Sequence, residues 1–153
     1  MHDLKVYTAG AMSCYGNSDY PKIWRGIVSD WFNRYTNNIK CIHPTDYYEI
    51  GKDYHKSERE VMRFDLRNVR LSDVLLVNLK DLDKSIGTCD EIFYAYIKGI
   101  PVIGFYEEGT EKDIHPWKIE EIDRIETGKD ALLNSLKYIR DYYGWKELWL
   151  RVT

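Results

Sequence analysis

Cysteine is scarce in this chain. Cys14, Cys41 and Cys89 are odd in number and none belongs to a C-x-x-C pair, so neither a disulfide framework nor a zinc knuckle is suggested. Reduced thiols in a cytoplasmic protein are expected. Long apolar runs are missing too. No stretch approaches the roughly 20 residues that span a bilayer, and the opening MHDLKVYTAG has neither the basic start nor the apolar centre of a signal peptide. Charge of one sign is nowhere concentrated: 22 Lys and Arg are interspersed with 25 Asp and Glu, for a net charge of −3. That leaves no footprint for a nucleic-acid backbone and favours a small-molecule partner. His2, His43, His55 and His115 show no i, i+4 pairing and no H-E-x-x-H, so no metal site is assigned. A Walker loop, a G-x-G-x-x-G after the first strand and a G-x-S-x-G elbow are all absent. ATP hydrolysis, dinucleotide redox chemistry and serine-hydrolase chemistry therefore lack support, and no cofactor is called for.

What is present is the material for one domain over residues 1–153, with a hydrophobic fraction of 44%. Leu4 to Ala9 reads as a first strand ending in a turn at Gly10. Trp24, Ile27, Val28, Trp31, Phe32 and Tyr35 follow at helical spacing, in a helix starting near Pro21. Ile39 to His43 reads as a second strand, and the polar TDYYEIGKDYHK after it as a loop long enough to be a lid. Ser57 and Glu60 form an S-x-x-E capping box for a helix running to about Leu71. Asp73 to Leu79 is a nearly continuous apolar run, as expected of a central strand buried on both faces. A helix from about Thr88 to Lys98 stops at Gly99, and Ile100 to Phe105 supplies the next buried strand. Ile122 to Ile125 is a candidate fifth strand, and Leu132, Leu136, Ile139 and Tyr143 mark a last helix ending at Gly144. Strand and helix alternate, which predicts a doubly wound α/β fold with a flavodoxin-like, five-stranded parallel sheet flanked by helices. Ligands in such sheets sit at the carboxyl ends of the strands, so chemistry belongs after Ala9, His43, Leu79 and Phe105. The tail WKELWLRVT, with its two tryptophans, is expected to pack on the domain or on a partner subunit.

Two carboxylates stand out. On the helix from Ser57 to Leu71, Arg59, Arg63, Arg67 and Arg70 share one side, while Val61, Met62, Leu66 and Val69 lie on the other with Asp65 among them. A carboxylate on a core-facing stripe is costly unless it is paired or used. Glu91 has two readings. With Thr88 it forms a T-x-x-E capping box, which would tie it to the Thr88 backbone. Alternatively it points out of the helix start toward the strand ends, where the positive end of the helix macrodipole helps keep it ionised and suited to attack a sugar carbon. Ser85, Gly87 and Thr88 form a small hydroxyl-bearing turn, a candidate anion cradle, and Gly10 opens the corresponding segment after the first strand. The thirteen tyrosines fit either core packing or base stacking.

Four segments together resemble the nucleoside 2-deoxyribosyltransferase family: KVYTAGAM at the start, Trp24-Arg25, FDLRNVRLSDVLLV and SIGTCDEIFYAYIKGIPVIGF. They are spread over roughly two thirds of the chain, and the part after about Glu107 matches only loosely. The resemblance implies a covalent mechanism in which Glu91 attacks C1′ of a 2′-deoxynucleoside and expels the base. It implies that Asp65 protonates or hydrogen-bonds the departing base, that the Tyr7 hydroxyl orients the nucleophile, and that Gly10, Ser85, Gly87 and Thr88 are substrate-binding positions. A second free nucleobase would then accept the deoxyribose.

One position departs from the pattern. Six residues before the glutamate the transferases tend to carry an aspartate, whereas this chain has Ser85, similar to the related deoxynucleoside 5′-monophosphate N-hydrolases, in which a serine contacts the phosphate. Hydrolysis of a nucleotide is therefore the alternative reaction, and a non-catalytic nucleotide-binding module a second alternative. The resemblance also implies a homodimer or larger homo-oligomer.

Overall fold

The computed structural model describes residues 3–48 and 54–145. Within them β1 (Leu4–Ala9), β2 (Ile39–Ile42), β3 (Val74–Asn78), β4 (Val102–Tyr106) and β5 (Arg124–Thr127) form one parallel sheet in the order β2-β1-β3-β4-β5. This is the flavodoxin-like, doubly wound arrangement. All five residues of β3 are buried, because the strand is central and helices cover both of its faces.

Alternation along the strands divides the core in two. Leu4 and Val6 of β1 and Val74 and Leu76 of β3 face α1 (Tyr20–Tyr35) and α6 (Ala131–Tyr138), where Trp24, Val28, Phe32 and Leu136 complete one cluster. Tyr7, Ala9, Leu75 and Val77 face the other way, toward Val69 of α3 (Glu58–Arg70) and Ile92 and Ala95 of α4 (Ile86–Lys98). The one-residue step from Val6 to Tyr7 thus puts Tyr7 on the face where Asp65 and Glu91 are carried.

Several boundaries differ from the sequence expectation. The α4 helix opens at Ile86, two residues early, because Ser85 caps it. The polar segment after β2 contains a one-turn helix, α2 (Pro44–Tyr47), with Pro44 at its first position. A second short helix, α5 (Pro116–Glu120), lies in the polar stretch before β5, capped by the His115 side chain, which accepts from Trp117 N–H. The β5 strand starts at Arg124 instead of Ile122. As an edge strand it is only half covered, so its pairing is not marked by an apolar run. Met62, expected on the inner side of α3, is exposed. After α6 the chain continues into a wider π-helical turn, Ile139–Gly144. The tail expected to pack on the domain lies outside the described residues apart from Trp145, as do residues 49–53 of the expected lid.

Gly10 ends β1 for a steric reason. A Cβ there would lie 2.9 Å from Trp24 Cζ2, so only glycine lets the chain pass this close to α1.

Candidate active site

Ser85 decides how α4 begins. Its backbone is extended, its Oγ accepts from Thr88 N–H at 3.3 Å, and the Ser85 and Thr88 hydroxyls bond at 2.7 Å. The cap is therefore S-x-x-T, and the Thr88–Glu91 capping box that the spacing allows does not form. Glu91 falls in the second turn, on the inward stripe shared by Thr88, Ile92 and Ala95.

Freed from capping, Glu91 is buried, and its Oε2 has no hydrogen-bond partner of good geometry. Burial pushes its carboxyl up to about 8, and the nearby Asp65 charge adds to this. The Tyr7 hydroxyl and the Arg25 guanidinium pull the other way. The macrodipole does not keep Glu91 in the ordinary carboxylate range, since its influence fades beyond the first turn and burial outweighs it.

Tyr7 is fully buried on β1. Burial first, then the Glu91 charge, pushes its phenol far above the usual range, so it stays a neutral hydroxyl facing the carboxylate. Asp65 reaches the same region from α3. Its Oδ1 accepts from Tyr48 Oη at 2.8 Å and Tyr47 Oη at 3.2 Å. Burial raises the Asp65 carboxyl, while those two donors oppose the shift.

Arg25 is buried to 1% exposure, unusual for a charged residue. Its Nε, Nη1 and Nη2 donate to the carbonyls of Thr8 at 3.2 Å, Pro21 at 3.0 Å and Gly10 at 3.3 Å, tying the end of β1 to the start of α1. The guanidinium lies 4.4 Å from the centre of the Trp24 ring. Burial lowers it to about 10, so it remains charged at neutral pH, and the Glu91 carboxylate favours that charge. Next to it His43, buried between the Thr8 and Ser29 hydroxyls, is held below its ordinary range by burial and acts as a neutral tie between β1, β2 and α1.

A cavity of about 450 Å³ opens at the carboxyl edge of the sheet, large enough for a small ligand. Tyr7, Gly10, Asp65, Ser85, Gly87, Thr88 and Glu91, every site residue expected from the sequence, line it. Arg25, Met12, Ser13, Tyr48 and Lys84 add to the wall, and Pro44, Val61 and Ile86 complete it. A more apolar groove of about 270 Å³ continues between α3 and α4, past Val61, Leu66 and Ile86, with Asp65 and Glu91 at its inner end. The sequence reading missed Arg25, Tyr47 and Tyr48 as site residues. For Arg25 a signal existed, since 25, 28 and 32 share one helical stripe and the buried residues of α1 are Pro21, Trp24, Arg25, Val28 and Phe32. Ile27 and Tyr35, counted inward on the sequence, are exposed instead.

Among the described residues no group of three or more His, Cys, Asp and Glu side chains is placed to hold a metal ion, and no helix is long and apolar enough to cross a membrane.

No protein-family model matches the chain, and no curated protein does. Solved structures are similar. One is the crystal structure of a conserved protein from Enterococcus faecalis V583, with a TM-score of 0.73 at 19% identity, over 88% of this chain and 98% of that one. Another is a 2-deoxyribosyltransferase from Bacillus psychrosaccharolyticus, with a TM-score of 0.59 at 18% identity, over 79% of this chain and 84% of that one. The likeness is one of fold. A shared fold does not by itself assign an activity.

Proposed function

We propose that this chain cleaves the N-glycosidic bond of a 2′-deoxynucleoside through a covalent glycosyl–Glu91 intermediate and transfers the deoxyribose to another base. The observation that carries this reading is the convergence of Tyr7, Asp65 and Glu91, from three separate elements, on one cavity at the carboxyl edge of the sheet. In the first step a Glu91 oxygen bonds to C1′, the C1′–N bond breaks, and its electron pair leaves with the base, which takes a proton from Asp65. The Tyr7 hydroxyl donates toward Glu91 and orients the attacking carboxylate, and Arg25 supplies the buried positive charge that favours its ionised form. In the second step a nitrogen of the incoming base attacks C1′, Asp65 takes up its proton, and Glu91 leaves as carboxylate. No cofactor takes part in either step.

A second reading has support of its own. Lys84 and Gly87 stand with Ser85 on the cavity wall at the N-terminus of α4, a positive end that suits a 5′-phosphate, with water as the acceptor. Ser85 Oγ is already committed to the helix cap, so a phosphate would meet it as a donor or meet the neighbouring N–H groups.

The experiment is base exchange. Incubation with a deoxynucleoside and a second free base gives the new deoxynucleoside if transfer is the reaction. Free deoxyribose whatever base is added, with a strong preference for 5′-monophosphates, favours the hydrolase. Absence of turnover over a broad panel would favour a binding module. We also propose a homo-oligomer, supported by the exposed apolar side chains of Ile86, Phe93 and Ile97 on α4 and Met62 on α3, of which Ile86 and Met62 line the groove.

A further inference from the structure

Asp65 is a half-buried carboxyl whose two oxygens are treated differently. Both phenols of the adjacent pair Tyr47 and Tyr48 bond to Oδ1, and among the described residues no hydrogen bond to Oδ2 is formed. A phenol at its ordinary charge donates to a carboxyl oxygen, and the carbonyl oxygen of a protonated carboxyl has two lone pairs to accept with. With both phenol hydrogens directed at Oδ1, a proton carried by this carboxyl resides on Oδ2, and Asp65 is part of the cavity wall.

We propose that Tyr47 and Tyr48 are positioning residues that hold Asp65 in one orientation, with Oδ1 saturated and the acidic proton confined to Oδ2, ready for the departing base. This inference rests on the glycosidase reading of the site. The pair is built for the role. Tyr47 is fixed at the end of α2 and packs edge-on against Phe64 of α3, with ring centroids 5.1 Å apart, while the two tyrosine rings meet at 4.8 Å. His55 sits against Phe64 at 5.4 Å and Tyr48 at 6.2 Å, closing an aromatic collar around the carboxyl. Tyr47 is also near enough to Tyr7 to influence its proton affinity, so the phenols run from the Glu91 side of the cavity to Asp65. As the proton passes from Oδ2 to the base nitrogen and the C1′–N electron pair goes to the base, the two phenol donors stay on Oδ1 and stabilise the carboxylate left behind. When Asp65 later takes a proton from the incoming base or water, the same donors return it to Oδ2.

The titratable groups around Asp65 are Tyr47, Tyr48 and His55, with Glu91 and Tyr7 across the cavity and Glu58 and Asp90 lining the same groove. Of these only the two phenols contact Oδ1. Removing one takes away a donor that favours the charged form, so the Asp65 pKa rises and the alkaline limb of kcat/KM moves up.

The test uses Tyr48→Phe and Tyr47→Phe in the full chain, with two substrates. One is whichever natural deoxynucleoside the wild type cleaves fastest. The other is 4-nitrophenyl 2-deoxyribofuranoside, whose leaving group departs without a proton. The expected result for Tyr48→Phe is a kcat/KM loss of about 10- to 100-fold on the nucleoside and under about threefold on the nitrophenyl substrate, with the alkaline limb shifted upward. Equal losses on both substrates with an unmoved limb would overturn the proposal and leave the tyrosines a packing role. A wild type that cleaves neither substrate would instead remove the glycosidase reading. The proposal is then judged by carbon-13 NMR titration of Asp65, whose pKa must rise in Tyr48→Phe; an unchanged titration contradicts it.

Discussion

Tyr7 Oη and Glu91 Oε2 are buried side-chain atoms without a well-formed hydrogen bond, and each raises or lowers the other's proton affinity across the end of β1. An unpaired polar atom in the interior costs free energy, and here two such atoms face each other over a cavity. The hydroxyl favours the charged form of Glu91, so its loss in Tyr7→Phe should raise the Glu91 pKa above about 8. The expected outcome is a fall in kcat/KM of about 10- to 100-fold together with an acidic limb displaced to higher pH. A pH–rate profile of the variant checks both; an unshifted limb would contradict the assignment.

Burial of Glu91 should also show in stability. Its folded-state carboxyl is raised to about 8, whereas an unfolded glutamate titrates near 4.5. Between those values the folded state binds more protons than the unfolded one, so this group's contribution falls as the pH rises from about 4.5 to about 8 and levels off above. Glu91→Gln removes the cost. The variant should be more stable than wild type at pH 8 by up to a few kcal/mol and nearly equal to it at pH 4.5, as read from urea midpoints at the two pH values. Equal midpoints at pH 8 would mean that Glu91 is not the buried, raised carboxyl described.

Arg25 offers a separation of charge from packing. Arg25→Met takes a buried cation from the vicinity of Glu91 and removes the side-chain donors to the Thr8, Pro21 and Gly10 carbonyls. It should cost about 1–3 kcal/mol of stability and move the acidic limb upward. Arg25→Lys keeps the charge without the three-way fork, so it should lose stability while holding the limb nearer its wild-type position. If both variants shift the limb equally, the charge is not what tunes Glu91.

Ser85 can be tested for its two duties at once. As the cap of α4, its replacement by alanine should cost about 1 kcal/mol and replacement by glycine only a few tenths. If α4 also receives a phosphate, Ser85→Ala should lower kcat/KM on a 5′-monophosphate more than on the nucleoside. Equal effects on the two substrates would leave Ser85 as a cap alone.

Much of this arrangement was legible in the sequence where burial leaves a periodic mark. The apolar run of β3, the bounds of β1 and the Ser57 cap of α3 follow from pattern alone, and with them the flavodoxin-like order. The convergence of Tyr7, Asp65 and Glu91 on one cavity was reachable through the strand-end rule and the family resemblance. What escaped has physical reasons. Tyr47 and Tyr48 lie on and just after a single turn of helix, too short for any period to show. Arg25 is a charge on an apolar stripe, which a search for hydrophobic spacing passes over. T-x-x-E at Thr88 and the Ser85–Thr88 cap overlap in the same letters, and the extended backbone of Ser85, with φ −131° and ψ 91°, selects the second.

The central claim is that Glu91 becomes covalently bonded to C1′. Rapid quenching of the protein with a deoxynucleoside in the absence of acceptor base, followed by mass spectrometry of its peptides, tests it directly. A single deoxyribosyl group on the peptide containing Glu91, missing in Glu91→Gln and discharged by added base or by water, is the predicted result. Turnover without any adduct, undiminished in Glu91→Gln, would contradict it.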